Sequence, residues 1–363
     1  MSSTLFPAAV AVGASLLLAL ALLVPFVAVQ YRRRGTLGLG PVVLSFAALV
    51  YVLALASYTL LPLPELTSDF CSAHHAVPQL RPGRFVTDIL RENRGGVLGL
   101  ASNPAVQQFV FNIALFVPLG MFVRHLLRRG VLTTAAVGLG VSLLVELTQL
   151  TGVWTLFPCA YRLFDVDDLI ANTAGALIGA GLGPLLRHVP GQQTADPGRP
   201  RPVTARRRLL GMVCDWATGV GTGEVLVVVW RVLVATFHLE PPADVDSLVR
   251  GLLTGLVPAL LFAVLVFRAR RTLGELVVRL RPTGSAPWTA RLLRWALGVG
   301  GYLVLMAAET ALFDAAAALL VVVSVVMVFT TPHHAGLAYR VVRWQLEDDR
   351  TGLREPVPAD QPA

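Results

Sequence analysis

Long apolar runs alternate with short, arginine-bearing breaks along this chain. Runs of the length a membrane-spanning helix needs, about 17 to 25 residues, are Leu5–Val29, Val42–Leu61, Val106–Leu127, Val131–Leu150 and Leu169–Leu186. After a polar interval come Leu209–Phe237, Leu248–Phe267 and an apolar stretch from Trp295 to Phe329. The last is too long for one helix at about 1.5 Å per residue. Glu309 and Asp314, near its middle, divide it into two helices with a tight outer turn. The pattern therefore predicts an all-α, polytopic transmembrane bundle of about nine spans, five before the polar interval and four after it.

The arginines orient the bundle. Arg32–Arg34, Arg124, Arg128, Arg129, Arg206–Arg208, Arg268, Arg270, Arg271, Arg279 and Arg281 all fall on one side if the spans alternate. The positive-inside rule makes that side cytoplasmic, so the N-terminus is expected outside and the C-terminus inside. Arg81, Arg84, Arg91 and Arg94 oppose this, but they sit in a long loop and are outnumbered. The first apolar stretch lacks a basic segment ahead of it and reads as a retained span, not a cleaved leader.

Four segments follow: residues 1–188 as a five-helix membrane domain, and 189–207 as a Pro- and Arg-rich cytoplasmic linker. Residues 208–345 form a four-helix membrane domain, and 346–363 a polar tail expected to be disordered. The loops Pro62–Ala105 and Thr151–Asp167 face outward in this topology.

Composition agrees with a membrane setting. The chain is 55% hydrophobic and only 14% charged, against roughly a quarter charged in a soluble domain. Its mean hydropathy is +0.67. All 30 basic residues are arginine, which together with the Ala, Leu, Val and Gly content suits a GC-rich bacterial genome and a multi-pass plasma-membrane protein. The net charge of +8 does not indicate nucleic acid, because the arginines lie beside apolar spans where they meet anionic lipid.

The chemistry-bearing segment runs from Asn112 to Gly183. "FNIALFVPLGMFV" opens the third span, and "VSLLVELTQL" puts Glu146 and Gln149 on one face of the fourth. "YRLFDVDDLIANTAGALIGAGLG" brings Arg162, Asp165, Asp167 and Asp168 to the outer start of the fifth, with Asn172 inside it. Asp165, Asp168, Asn172, Gly175 and Gly179 make one helical stripe, acidic at its outer end and small at its deeper end. At Asn112, Phe116, Pro118, Gly120, Glu146, Gln149, Arg162, Asp165, Asp168, Asn172, Gly175 and Gly179 the sequence resembles the VanZ-like family of bacterial membrane proteins. The resemblance covers the first half of the chain. It implies a cell-envelope setting and a link to glycopeptide tolerance, without fixing a reaction.

The second half resembles the RDD family of small membrane modules. Arg208 and Asp215 in "RRRLLGMVCDW" are seven apart on one helix face, and "RTLGELVVRLRP" is similar to that family's loop after a middle span. Tyr339 stands where the family's last Asp is expected.

These residues admit several functions. Carboxylates and a guanidinium converging at the outer boundary can bind a lipid head group, a lipid-linked cell-wall precursor or a cation. They can also do acid–base chemistry on a lipid-linked substrate if burial raises a carboxyl pKa. The structural alternative has Asp165 or Asp167 capping the fifth helix, Arg162 paired with Glu146, and Asn112 bonding between helices. A small transporter is the third possibility, and the scarcity of deep charges counts against it. Adjacent His74 and His75, like His333 and His334, read as surface loop and make no zinc spacing, so no metal or cofactor is expected. No phosphate loop, nucleophile elbow or HExxH motif occurs. Cys71 and Cys159 both fall outside, where a disulfide is permitted, though spacing alone does not bring them together.

Overall fold

The computed structural model describes residues 5–60, 71, 78–92, 96–160, 162–193, 196–284, 287–308 and 310–351. The chain divides into two compact units, Met1–Ala19 with Gly38–Gln193, and Leu20–Leu37 with Thr194–Ala363. The division falls a few residues later than the expected edge at 188. It also assigns Leu20–Leu37, expected in the first domain, to the second unit.

The first helix, α1 (Leu5–Arg34), contributes to both units. The first unit continues with α2 (Leu39–Leu60), α3 (Arg84–Glu92), α4 (Gly96–Ala101), α5 (Pro104–His125), α6 (Val131–Leu150) and α7 (Val166–Leu182), the last extended by a 3₁₀ turn to His188. The stretch from Pro62 to Ala105 is thus more than a loop, since it contains α3 and α4. Local chemistry fixes the helix starts. The Asn103 side chain accepts from the Ala105 and Val106 amides, and Pro104 occupies the first turn, where its missing N–H costs nothing. Asp165 starts α7 by accepting from the Asp167 amide at 2.8 Å. The core of this unit is Leu55, Phe116, Leu119 and Val123.

Helices α5 and α7 meet through glycine. A Cβ on Gly175 would overlap the Ile113 carbonyl, and one on Gly179 the Val117 carbonyl. Gly120 answers from α5, facing the Ala176 carbonyl. The small end of the stripe is therefore a backbone-to-backbone contact, the usual way small residues serve between membrane helices.

The second unit holds α8 (Ala205–Thr236), α9 (Ala243–Ala269, with a π-type turn at Leu252–Leu256), α10 (Leu273–Val277), α11 (Trp288–Ala296), α12 (Val299–Met306), α13 (Ala311–Thr330) and α14 (Gly336–Val342). Two short strands, β1 (Leu280–Thr283) and β2 (Gln345–Asp348), pair antiparallel with Leu280 opposite Asp348. Helix α8 begins inside the expected linker, capped by Thr204 accepting from the Arg207 amide.

Two expectations are corrected here. The tail expected to be disordered from residue 346 begins as β2, because Leu346 is buried and Asp348 is gripped by arginines. Arg207 Nη1 lies 2.8 Å and Arg350 Nη2 2.6 Å from Asp348 Oδ2. Burial alone would raise the Asp348 carboxyl, but Arg350 and Arg207 outweigh it and hold it well below the usual carboxylate range. The helical bundle carries this small sheet as an addition. Second, the run Trp295–Phe329 does not form two full-length helices. Leu297 and Gly298 separate α11 from α12, and α12 is eight residues long, about 12 Å of helix at 1.5 Å per residue. Glu309, one of the two acids used to divide this run, lies outside the described residues.

Among the described residues, seven helices are long and apolar enough to cross a membrane: α2, α5, α6, α7 with its 3₁₀ turn, α8, α9 and α13.

Candidate functional site

The polar residues singled out in the sequence come together where α2, α5, α6 and α7 meet. Glu146, on the last turns of α6 and 3% exposed, accepts from the Asp165 amide at 3.0 Å. Asp168, in the first turn of α7, receives the Asn112 side-chain amide from α5 at 2.5 Å. Gln149 and Arg162 both donate to the Thr59 carbonyl at the end of α2, at 2.8 and 3.3 Å. Asn172, a turn deeper, donates to Ser142 of α6 at 2.9 Å. Its own carbonyl oxygen is buried and has no hydrogen-bond partner.

The pairing of Arg162 with Glu146 weighed above is not among the described ion pairs. Glu146 is met instead by backbone, and Arg162 reaches a carbonyl.

Three participants, Gln79, Thr59 and Ser142, had no signal in the sequence, and Asp167 has partners that the sequence did not indicate. Gln79 forms a parallel bridge to Asp165, with its amide 2.8 Å from the Phe164 carbonyl and its carbonyl 3.1 Å from the Val166 amide. Its side chain also donates to Asp165 at 3.3 Å. Asp167, read as a cap for its own helix, instead accepts the amides of Gly83 and Phe85 at 2.7 and 2.9 Å. It thereby satisfies the open N-terminus of α3, a role available to any carboxylate placed there. Thr59 and Ser142 supply an acceptor and a hydroxyl that nothing in their local sequence marks out. A polar loop residue such as Gln79 becomes part of a site only through long-range pairing.

Burial pushes the Asp165 carboxyl above its ordinary range, an effect partly offset by the Asp167 amide. Among the described residues no group of three or more His, Cys, Asp or Glu is arranged to hold a metal ion. His74 and His75 lie outside the described residues. His333 and His334 form a short turn, and His334 Nδ1 lies 2.9 Å from the Val328 carbonyl.

Cys71 and Cys159 are bonded, with Cα atoms 5.8 Å apart. The link joins the segment before α3 to the segment before α7, which is the same pair of segments that Gln79 and Asp165 bridge. We expect Cys71→Ser and Cys159→Ser to migrate more slowly than the parent on non-reducing gels, and identically to it after reduction. Unchanged mobility without reductant would show that the thiols are free in the membrane.

The Arg208 and Asp215 pair lies in the second unit and does not join this site. Both are buried in α8: Arg208 Nη1 is 2.7 Å from Glu275 Oε1, and Asp215 accepts from the Gly274 amide at 2.6 Å. Glu275, not singled out in the sequence reading, is the hub. Arg294 also pairs with it, and the Tyr339 hydroxyl donates to it at 2.7 Å. Tyr339 thus fills the place where a carboxylate was expected, its ring flanked by the guanidiniums of Arg208 and Arg294 at 4.9 and 4.8 Å.

Seven such helices, four of which meet at this polar site, define a polytopic helical membrane protein. Within it, residues 46–187 match the model of the VanZ/LLP1 family, a span that contains every residue of the candidate site. Neither a curated protein nor a solved structure matches the chain.

Proposed function

We propose that the protein works in the bacterial plasma membrane, and that its VanZ-like unit binds the head group of an envelope lipid or lipid-linked cell-wall precursor at the outer face. In this reading it contributes to glycopeptide tolerance. The observation that carries the proposal is the grouping of Glu146, Asp165 and Asp168 with Asn112, Gln149 and Arg162 at one end of α6 and α7. Buried ionisable groups in spans are costly and mark function more often than packing. The outward placement rests on the arginine count of the loops. The RDD-like reading of the second unit rests on Arg208 and Asp215.

A second reading, an enzyme acting on a lipid-linked substrate, draws support from Asp165, whose raised pKa suits proton transfer. Single Asp165→Asn and Asp168→Asn variants separate the two. Asparagine keeps the capping oxygen at 165 and can exchange hydrogen bonds with Asn112 from 168. With folding verified by monodisperse elution, a binding role leaves glycopeptide tolerance measurable in at least one variant. Loss of tolerance in both, at unchanged expression, would favour catalysis and sink the binding reading.

A further inference from the structure

A cavity of about 400 Å³ opens in the second unit, lined by none of the candidate-site residues. Much of its lining is apolar: Leu209, Met212 and Val213 of α8, Val299 of α12, and Val321 and Val325 of α13. Helices α8 and α13 are both long and apolar enough to cross a membrane, so this wall has the chemistry of an acyl-chain surface. The same cavity is lined by Arg208, Glu275, Arg294 and Tyr339.

Donors outnumber acceptors in that charged set. Each guanidinium carries five N–H groups and no acceptor. Glu275 takes one bond from Arg208 Nη1 and one from Arg294 Nη2, and it also accepts from Tyr339. The remaining carboxylate in the lining, Asp215, accepts from the Gly274 amide. Nε of Arg208 and both Nε and Nη1 of Arg294 are buried and have no hydrogen-bond partner. Arg294 is 3% exposed, so bulk water does not supply one. Leaving cationic donors buried and unmet costs about 1 to 3 kcal/mol or more per group. The complement to this set is a group that only accepts, which describes a phosphate.

We propose that the cavity binds an anionic phospholipid, its phosphate accepting from the guanidiniums of Arg294 and Arg208 and an acyl chain lying along the α8–α13 wall. Arginine suits the head because its planar fork meets two phosphate oxygens at once. Free phosphate has the same acceptors but leaves the apolar wall unfilled.

Native mass spectrometry of the full chain in detergent tests this with four probes: phosphatidylglycerol, phosphatidylcholine of the same chains, dodecane and inorganic phosphate. Phosphatidylglycerol should be retained about tenfold more tightly than phosphatidylcholine, a difference of roughly 1.4 kcal/mol. Dodecane and inorganic phosphate should not be retained. Arg294→Gln should remove the preference between the two lipids. Because that change can also unfold the unit, Val321→Trp provides the second arm. It fills the cavity from α13 without touching the ion pairs and should lower phosphatidylglycerol retention about tenfold. Equal retention of both lipids by the parent, retention of inorganic phosphate alone, or unchanged retention in Val321→Trp would each overturn the proposal.

Discussion

Glu275→Ala is expected to destabilise the second unit by about 3 to 5 kcal/mol, the usual effect of removing one member of a buried ion pair. The side chain is 1% exposed and faces two guanidiniums and a tyrosine hydroxyl. It also completes the cap of α10: the Thr272 hydroxyl accepts from the Glu275 amide, and the Glu275 carboxylate accepts from the Thr272 amide. Alanine would strand Arg208 and Arg294 without the carboxylate that both of them pair with. Glu347→Ala is the matched control. It breaks the Arg281–Glu347 pair, whose side chains are 42% and 32% exposed, and should cost no more than about 1 kcal/mol. Elution after stepwise heating should show Glu275→Ala aggregating at distinctly lower temperature than either the parent or Glu347→Ala.

The same pair gives a pH dependence. Desolvation pushes the Glu275 carboxyl up, but the charges of Arg294 and Arg208 overcome it and hold it down to about 2, from an ordinary 4.5. Its folded pKa is depressed, so its stabilisation is complete above pH 4.5 and is lost as pH falls from there through about 2. That loss is on the order of 3 kcal/mol for a shift of this size. The heating midpoint of the parent should therefore fall across that window. A midpoint flat from pH 5 to pH 3 would contradict the buried pair.

The second large effect is expected at Gly179. Even alanine there would meet the Val117 carbonyl, and its Cβ would lie 2.9 Å from both Gly120 Cα and the Met121 amide nitrogen. These are backbone atoms that cannot rotate away, so α5 and α7 must separate. The cost should reach about 3 kcal/mol, the upper end for overpacking. Gly181→Ala, two residues on in the same helix, meets nothing within 4 Å. There the ordinary preference of helices for alanine should apply, stabilising by up to about 1 kcal/mol. Opposite signs for one substitution at two neighbouring glycines would identify the α5–α7 contact as the cause. Equal effects would mean the helices are not packed this way. Separation of α5 from α7 should also weaken the Asn112–Asp168 bond, so Gly179→Ala is expected to reduce whatever activity the site supports.

Much of the candidate site was legible because its residues lie on helices, where spacing dictates direction. The stripe of Asp165, Asp168, Asn172, Gly175 and Gly179 could be drawn from three- and four-residue steps alone. A cap at Asp165 or Asp167 was expected from their position before an apolar run, and Asp165 makes it. The partners were not legible. That Glu146 meets the Asp165 amide, that Gln149 and Arg162 share the Thr59 carbonyl, and that Asp167 serves α3 all depend on which loop returns to which helix end. Glu275 was overlooked for a similar reason. Its only local mark is the capping box with Thr272, a motif that says nothing of two arginines 67 and 19 residues away in sequence.

By itself, the sequence determined the membrane class, the positions of most apolar helices and the acidic face of α7, because bilayer thickness and helical period act on contiguous residues. Only the tertiary structure decided that the run after Trp295 forms an eight-residue helix ahead of α13, that residues 345–348 form a strand, and that Arg208, Arg294 and Tyr339 close on Glu275. Those outcomes depend on the separation and orientation of groups distant in sequence. A buried charge or an unpaired strand edge is tolerated or not according to its neighbours, and composition does not name them.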